Sequence, residues 1–124
     1  MYRGIIIEES VDSEILSMLK QFTESEYVHM LQHNDKVTIL RVSISEPNLL
    51  QLMPKFLYAI NQDCFYFHFT DGEIMWVVFK GCIMRINKGN CEEISRCRKV
   101  GELYSISAEL MKFEEMFERD HPND

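Results

Sequence analysis

Apolar positions recur along this chain with two different periods, and the change of period marks its elements. Arg3 to Glu8 carries Ile5, Ile6 and Ile7 in unbroken succession, which predicts a strand apolar on both faces and hence central in a sheet. Ser10 and Asp12 offer N-caps. Behind them Ile15, Leu16, Leu19 and Phe22 take the i, i+1, i+4, i+7 spacing of one buried helix face. A second helix is predicted from Ser45-Glu46-Pro47, with Leu49, Leu50, Met53, Leu57 and Ile60 as its stripe. Pro54 should kink that helix or split its first turn from the rest.

Between these helices, residues 21–35 read two ways. As a helix, Glu26, His29 and His33 share one face and could hold a divalent metal. As a hairpin turning at His33-Asn34-Asp35-Lys36, the segment places Tyr27 opposite Val42, His29 opposite Leu40 and Met30 opposite Ile39. The β-branched run Lys36 to Ile44 needs an antiparallel neighbour, which favours the hairpin. Strand residues four apart stand about 13 Å from each other, so no metal site is then expected.

Residues 64–86 are the most apolar stretch and predict three antiparallel strands. Asp71-Gly72 is a two-residue turn signal. It pairs Phe69 with Ile74, Phe67 with Trp76 and Phe65 with Val78. Lys80-Gly81 pairs Phe79 with Cys82, Val78 with Ile83 and Trp76 with Arg85. One face of the ribbon is then aromatic and carries Arg85; the other is mixed and carries Tyr66 and His68. A sheet apolar on both faces must be covered twice, by helices or by a partner. After it, Asn90 and Glu93 make a capping-box variant for a helix through Ile94, Cys97 and Val100 that Gly101 should weaken or end. Ser107 caps a last helix with Leu110, Phe113 and Phe117 turned inward. The fold class is α+β: a mixed, mostly antiparallel sheet of about six strands in the order β-α-β-β-α-β-β-β-α-α. It forms one domain over residues 1–120, with 121–124 as a frayed tail.

The opening Met1-Tyr2-Arg3-Gly4-Ile5-Ile6-Ile7-Glu8-Glu9-Ser10, the hairpin pattern of Phe65, Tyr66 and Phe69, and the strand Val77-Val78-Phe79-Lys80 resemble a family of small uncharacterised prokaryotic single-domain proteins. The likeness covers most of the chain and is weakest between Gln21 and Asp35. It implies a stand-alone α+β domain with residues 20–45 as a hairpin. No established activity or catalytic residue comes with it.

Composition narrows the function classes. A net charge of −7 opposes phosphate backbones, which are bound through Lys and Arg, so no nucleic acid partner is expected. No apolar run reaches the roughly 18 residues of a membrane span. The acidic turn after Ile7 is too early for a signal peptide, and a cytoplasmic protein with no cofactor is the expectation. Four cysteines without a CxxC pair read as free thiols.

Candidate chemistry is sparse. Cys91 falls in the first turn of a helix, where the dipole favours a thiolate. His68 could act as a base near neutral pH. Glu8 ends the first strand, where site carboxylates are common, though its neighbour Glu9 points to the opposite face. No glycine-rich phosphate loop, HExxH or Ser-His-Asp order occurs. Two functional readings follow. The first is a non-enzymatic binding or assembly domain, homo-oligomeric through Phe67, Trp76 and Arg85 on the aromatic face. The alternative is a small enzyme or ligand binder with a pocket near Tyr66, His68 and Glu8, and Cys91 as a further candidate.

Overall fold

A computed structural model describes residues 1–30 and 36–119. Strand β1 (Tyr2–Ile7) leads through a 3-10 turn at Glu8–Ser10 into helix α1 (Ser13–Lys20). Strands β2 (Thr23–Met30) and β3 (Lys36–Ile44) follow, then α2 (Glu46–Phe56). Strands β4 (Phe67–Thr70), β5 (Ile74–Phe79) and β6 (Cys82–Asn87) precede α3 (Cys91–Leu103), a 3-10 turn at Ala108–Leu110 and α4 (Phe113–Met116). The strands form one sheet in the order β2-β3-β1-β4-β5-β6, and every pairing is antiparallel. The α+β class and the order of elements are those the sequence predicts. β1, with its three isoleucines, lies inside the sheet between β3 and β4.

Alternation along the central strands divides the core in two. On the front face Tyr2, Ile6, Leu40, Val42, Phe67 and Phe69 pack with Ile15 and Leu19 of α1 and Leu49 and Phe56 of α2. Gly4 is required there, because a Cβ would run into the Phe69 ring. On the back face Met75, Val77, Phe79 and Ile86 pack with Ile94 and Cys97 of α3 and with Met111, Phe113 and Met116 beyond it.

Local chemistry explains most boundaries. The Asp12 carboxylate accepts from Glu14 N–H and starts α1. Asn90 accepts from Glu93 N–H, while Glu93 reaches back to Asn87, accepting from its backbone and side-chain N–H groups at 2.9 and 3.0 Å. Three details differ from the sequence reading. Pro54 lies in the last turn of α2, which runs unbroken from Glu46 to Phe56, so it marks the end of the helix rather than splitting off its start. Gly101 is buried inside α3, where a Cβ would collide with the Met111 side chain and come within 3.3 Å of Phe79; the glycine serves close packing, and the helix continues. Ser107 caps only the 3-10 turn, and Phe113, Met116 and Phe117 are buried while Leu110 stays 46% exposed.

The registers predicted across Asp71-Gly72 and Lys80-Gly81 can both be checked. β5 and β6 pair as expected, with Trp76 opposite Arg85 and Phe79 opposite Cys82. β4 and β5 do not: Phe69 stands opposite Trp76 and Phe67 opposite Val78. Asp71 accepts from both Glu73 and Ile74 N–H, an Asx turn that widens the loop. The slip is by two residues, so it leaves every side chain on its expected face. Partial burial pushes the Asp71 carboxyl up, but the N–H bonds from Ile74 and Glu73 outweigh it and hold it below its ordinary value.

Candidate functional site

The hairpin of β2 and β3 is where a register difference moves a surface. Tyr27 pairs with Ile39, His29 with Val37 and Met30 with Lys36, three residues away from the predicted partners. An odd slip exchanges faces. Tyr27 and His29 thereby leave the side of Leu40 and Val42 and join the back face beside Ile39. The strand carries a register shift between Thr23 and Ser25, and Tyr27 gains the Arg41 guanidinium 5.3 Å from its ring centroid. Residues 33–35 of the predicted turn, and the predicted tail at 121–124, lie outside the described residues.

The back face of β1, β3 and β2 borders a cleft of about 370 Å³, within the roughly 300–1,000 Å³ typical of small-molecule sites. Its floor is Ile5 and Ile7 of β1, Ile39 of β3, and Tyr27 and His29 of β2. Its wall is Cys64, Phe65 and Tyr66 before β4, His68 on β4, and Ser105 to Ser107, Leu110 and Met116 from the C-terminal layer. None of these side chains is a carboxylate, ammonium or guanidinium, in a chain with 20 acids. The space is therefore apolar with scattered hydrogen-bonding groups.

Tyr66 anchors the wall. Its ring meets Phe113 edge-on at 5.7 Å and tilts over Phe79 at 5.9 Å. Its hydroxyl donates to the Leu110 carbonyl and lies 3.8 Å from Met116 Sδ. Burial first, and then the nearby Cys97, push this phenol well above its ordinary value, so it stays protonated and structural. Ser105 completes the wall through a chain reversal at the end of α3. Ser105 N–H bonds to Glu102 O at 3.0 Å and Ile106 N–H to Gly101 O at 3.1 Å, the paired bonds of a Schellman motif. The left-handed position falls on Ser105, with φ of 64°, where glycine is usual.

Of the four ligand candidates, two come together. His68 sits between Ile5 and Val77 in the sheet, 3% exposed, and shares the cleft with Tyr66. Glu8 does not line it; its carboxylate pairs with Lys20 of α1 at 2.8 Å. Cys91 does not either, being the exposed first residue of α3 with Sγ 3.9 Å from Gly89 O. The interface candidates lie on the front face. Phe67 is inside the core, edge-on to Phe56 at 5.3 Å. Trp76 is partly buried, and the exposed Arg85 stands 5.8 Å from its ring centroid.

Glu26 and His29 point to opposite faces, because Glu26 pairs with Leu40 and His29 with Val37. Among the described residues, no three His, Cys, Asp or Glu side chains are grouped to hold a metal, and no helix is long and apolar enough to cross a membrane. Sequence reasoning missed Ile5, Ile7, Ile39, Tyr27 and Cys64 as site residues. The signal available for the first two was the double-faced Ile5-Ile6-Ile7 run, of which only Ile6 is used by the front core. No protein-family model, curated protein or solved structure matches this chain.

Proposed function

We propose that this protein binds a small, mainly apolar molecule in the back-face cleft and does not transform it. The cleft itself carries this reading: three isoleucines of a central sheet face a walled space of about 370 Å³, where further packing would ordinarily close a core. The sparse polar chemistry of the lining supports binding over turnover. Its phenol at Tyr66 is committed to the Leu110 carbonyl, and among the described residues no carboxylate lines the space beside His68. Self-association through the aromatic face draws less support, since Phe67 is enclosed beneath α2.

Thermal-shift screening of a metabolite panel, with hits confirmed by calorimetry, tests the proposal. Apolar ligands should raise the Tm, and Ile7→Trp, which fills the floor, should weaken each of them about tenfold or more, roughly 1.4 kcal/mol. Hits that bind a folded Ile7→Trp variant unchanged would place binding elsewhere and overturn the reading.

A further inference from the structure

Ser105 keeps a side chain where the fold has no use for one. Among the described residues it is the only non-glycine in left-handed backbone, with φ of 64°, while glycine fills the other such positions at residues 72, 81 and 89. It stands just past the end of α3, where glycine is also usual. A Cβ in that conformation crowds the backbone and opposes folding. Nothing in the packing offsets this strain. Ser105 is exposed, and among the described residues its hydroxyl makes no hydrogen bond. An unusual backbone position that the fold does not require points to a role at a site.

The site that Ser105 borders is the cleft. Ser105, Ile106 and Ser107 follow one another along its wall. Ile106 is 4% exposed, and the serines on either side of it stay at the surface. This part of the wall is apolar inside and hydroxylic at the mouth. The other polar side chains of the wall are enclosed, engaged or weak. His68 is enclosed, the Tyr66 hydroxyl donates to the Leu110 carbonyl, and Ser107 Oγ accepts from Glu109 N–H at 3.3 Å. Cys64 offers a thiol, a weak hydrogen-bonding group. A molecule seated against Ile39, Ile106 and Met116 would therefore meet the Ser105 hydroxyl with its outer end. One hydroxyl matches one oxygen: it donates to a carbonyl, and donates to or accepts from an alcohol.

We propose that Ser105 sets the ligand class of the cleft, a ketone or alcohol with an apolar body, by bonding its oxygen at the mouth. This step rests on the binding reading above. Calorimetry on wild type, Ser105→Gly and Ser105→Ala tests it with two matched sets: tetralin, 2-tetralone and 2-tetralol, and ethylbenzene, acetophenone and 1-phenylethanol. In both variants the ketones and alcohols should lose about fivefold in affinity, with the hydrocarbons unchanged. Stability should move differently: Ser105→Gly should raise the urea midpoint and Ser105→Ala should not, because only glycine relieves the left-handed backbone. A merely structural serine would not give the same binding loss in both. Hydrocarbons weakening as much as their oxygenated partners, or ketones and alcohols binding both variants unchanged, would overturn the proposal and leave the binding reading standing. A Ser105→Gly midpoint below that of wild type would overturn it too, since the side chain would then serve the fold. If no ketone or alcohol of the two sets binds the folded wild type, this proposal fails; if the wider panel is silent as well, the binding reading fails with it.

Discussion

On the back of the sheet, β5 and β6 present Met75, Val77, Phe79 and Ile86 to a layer of helices, while β1, β3 and β2 present Ile5, Ile7 and Ile39 to a cleft. The residue types are alike, and the outcomes are opposite. In the first half Phe79 stacks on Tyr104 at 5.5 Å with the rings nearly parallel, and α3 and α4 exclude water. In the second half Ile5 and Ile7 stay half-buried. The seam between the halves runs through Tyr66, whose hydroxyl bonds to Leu110 of the 3-10 turn. Hydrophobicity in the sequence thus marks what could be buried, and the reach of the covering layer decides what is buried.

The contrast is broken most directly by truncation on either side of the seam. Phe79→Ala should lower unfolding stability by about 3–5 kcal/mol, because the vacated space is sealed. Ile7→Ala should cost about 1 kcal/mol, since the space it opens joins the cleft and the side chain begins half-exposed. Urea midpoints would measure both, and equal losses would mean that the halves are packed alike.

Alkali should separate the halves next. Burial, with a further push from Cys82, raises the Cys97 thiol to about 12, and the Tyr66 phenol is raised too. A folded-state value above the unfolded one contributes stability that is complete below the unfolded value and is lost as pH rises. Unfolding stability should therefore fall by on the order of 2–3 kcal/mol between about pH 9 and pH 11 from the thiol alone. Cys97→Ala should flatten that part of the profile in urea titrations; a wild-type curve level across this range would refute the assignment.

The smallest effect lies at the seam. Ser105→Gly relieves a left-handed serine and should stabilise the protein by about 0.5–1 kcal/mol, read as a higher Tm. A loss of stability there would show that the serine side chain does more for the wall than its backbone costs.

Much of the fold was legible because it is written locally. Asp12, Ser45 and Asn90 sit at helix starts because their positions precede apolar periodicity, and Asp12 and Asn90 do so with the side-chain bonds expected of caps. The double-faced Ile5-Ile6-Ile7 run announced an interior strand. Turn chemistry was readable for Lys80-Gly81 and incompletely so for Asp71, whose side chain takes two N–H groups rather than one. Of the site, only Tyr66 and His68 were readable, from their place on the ribbon's mixed face. Tyr27 and His29 were not, because their face depends on a register that local sequence leaves open by an odd number of residues.

The sequence by itself determined the alternation that gives this sheet two apolar faces and the caps that begin its helices. These follow from side-chain chemistry within a few residues of each position. Only the tertiary structure decided that Phe56 of α2 packs edge-on against Phe67, that Tyr66 bonds to Leu110, and that Ile7, Ile39 and Tyr27 line one cleft. Those outcomes depend on contacts between distant segments, such as Tyr66 with Leu110 and Tyr27 with Ile39, whose geometry no local pattern specifies.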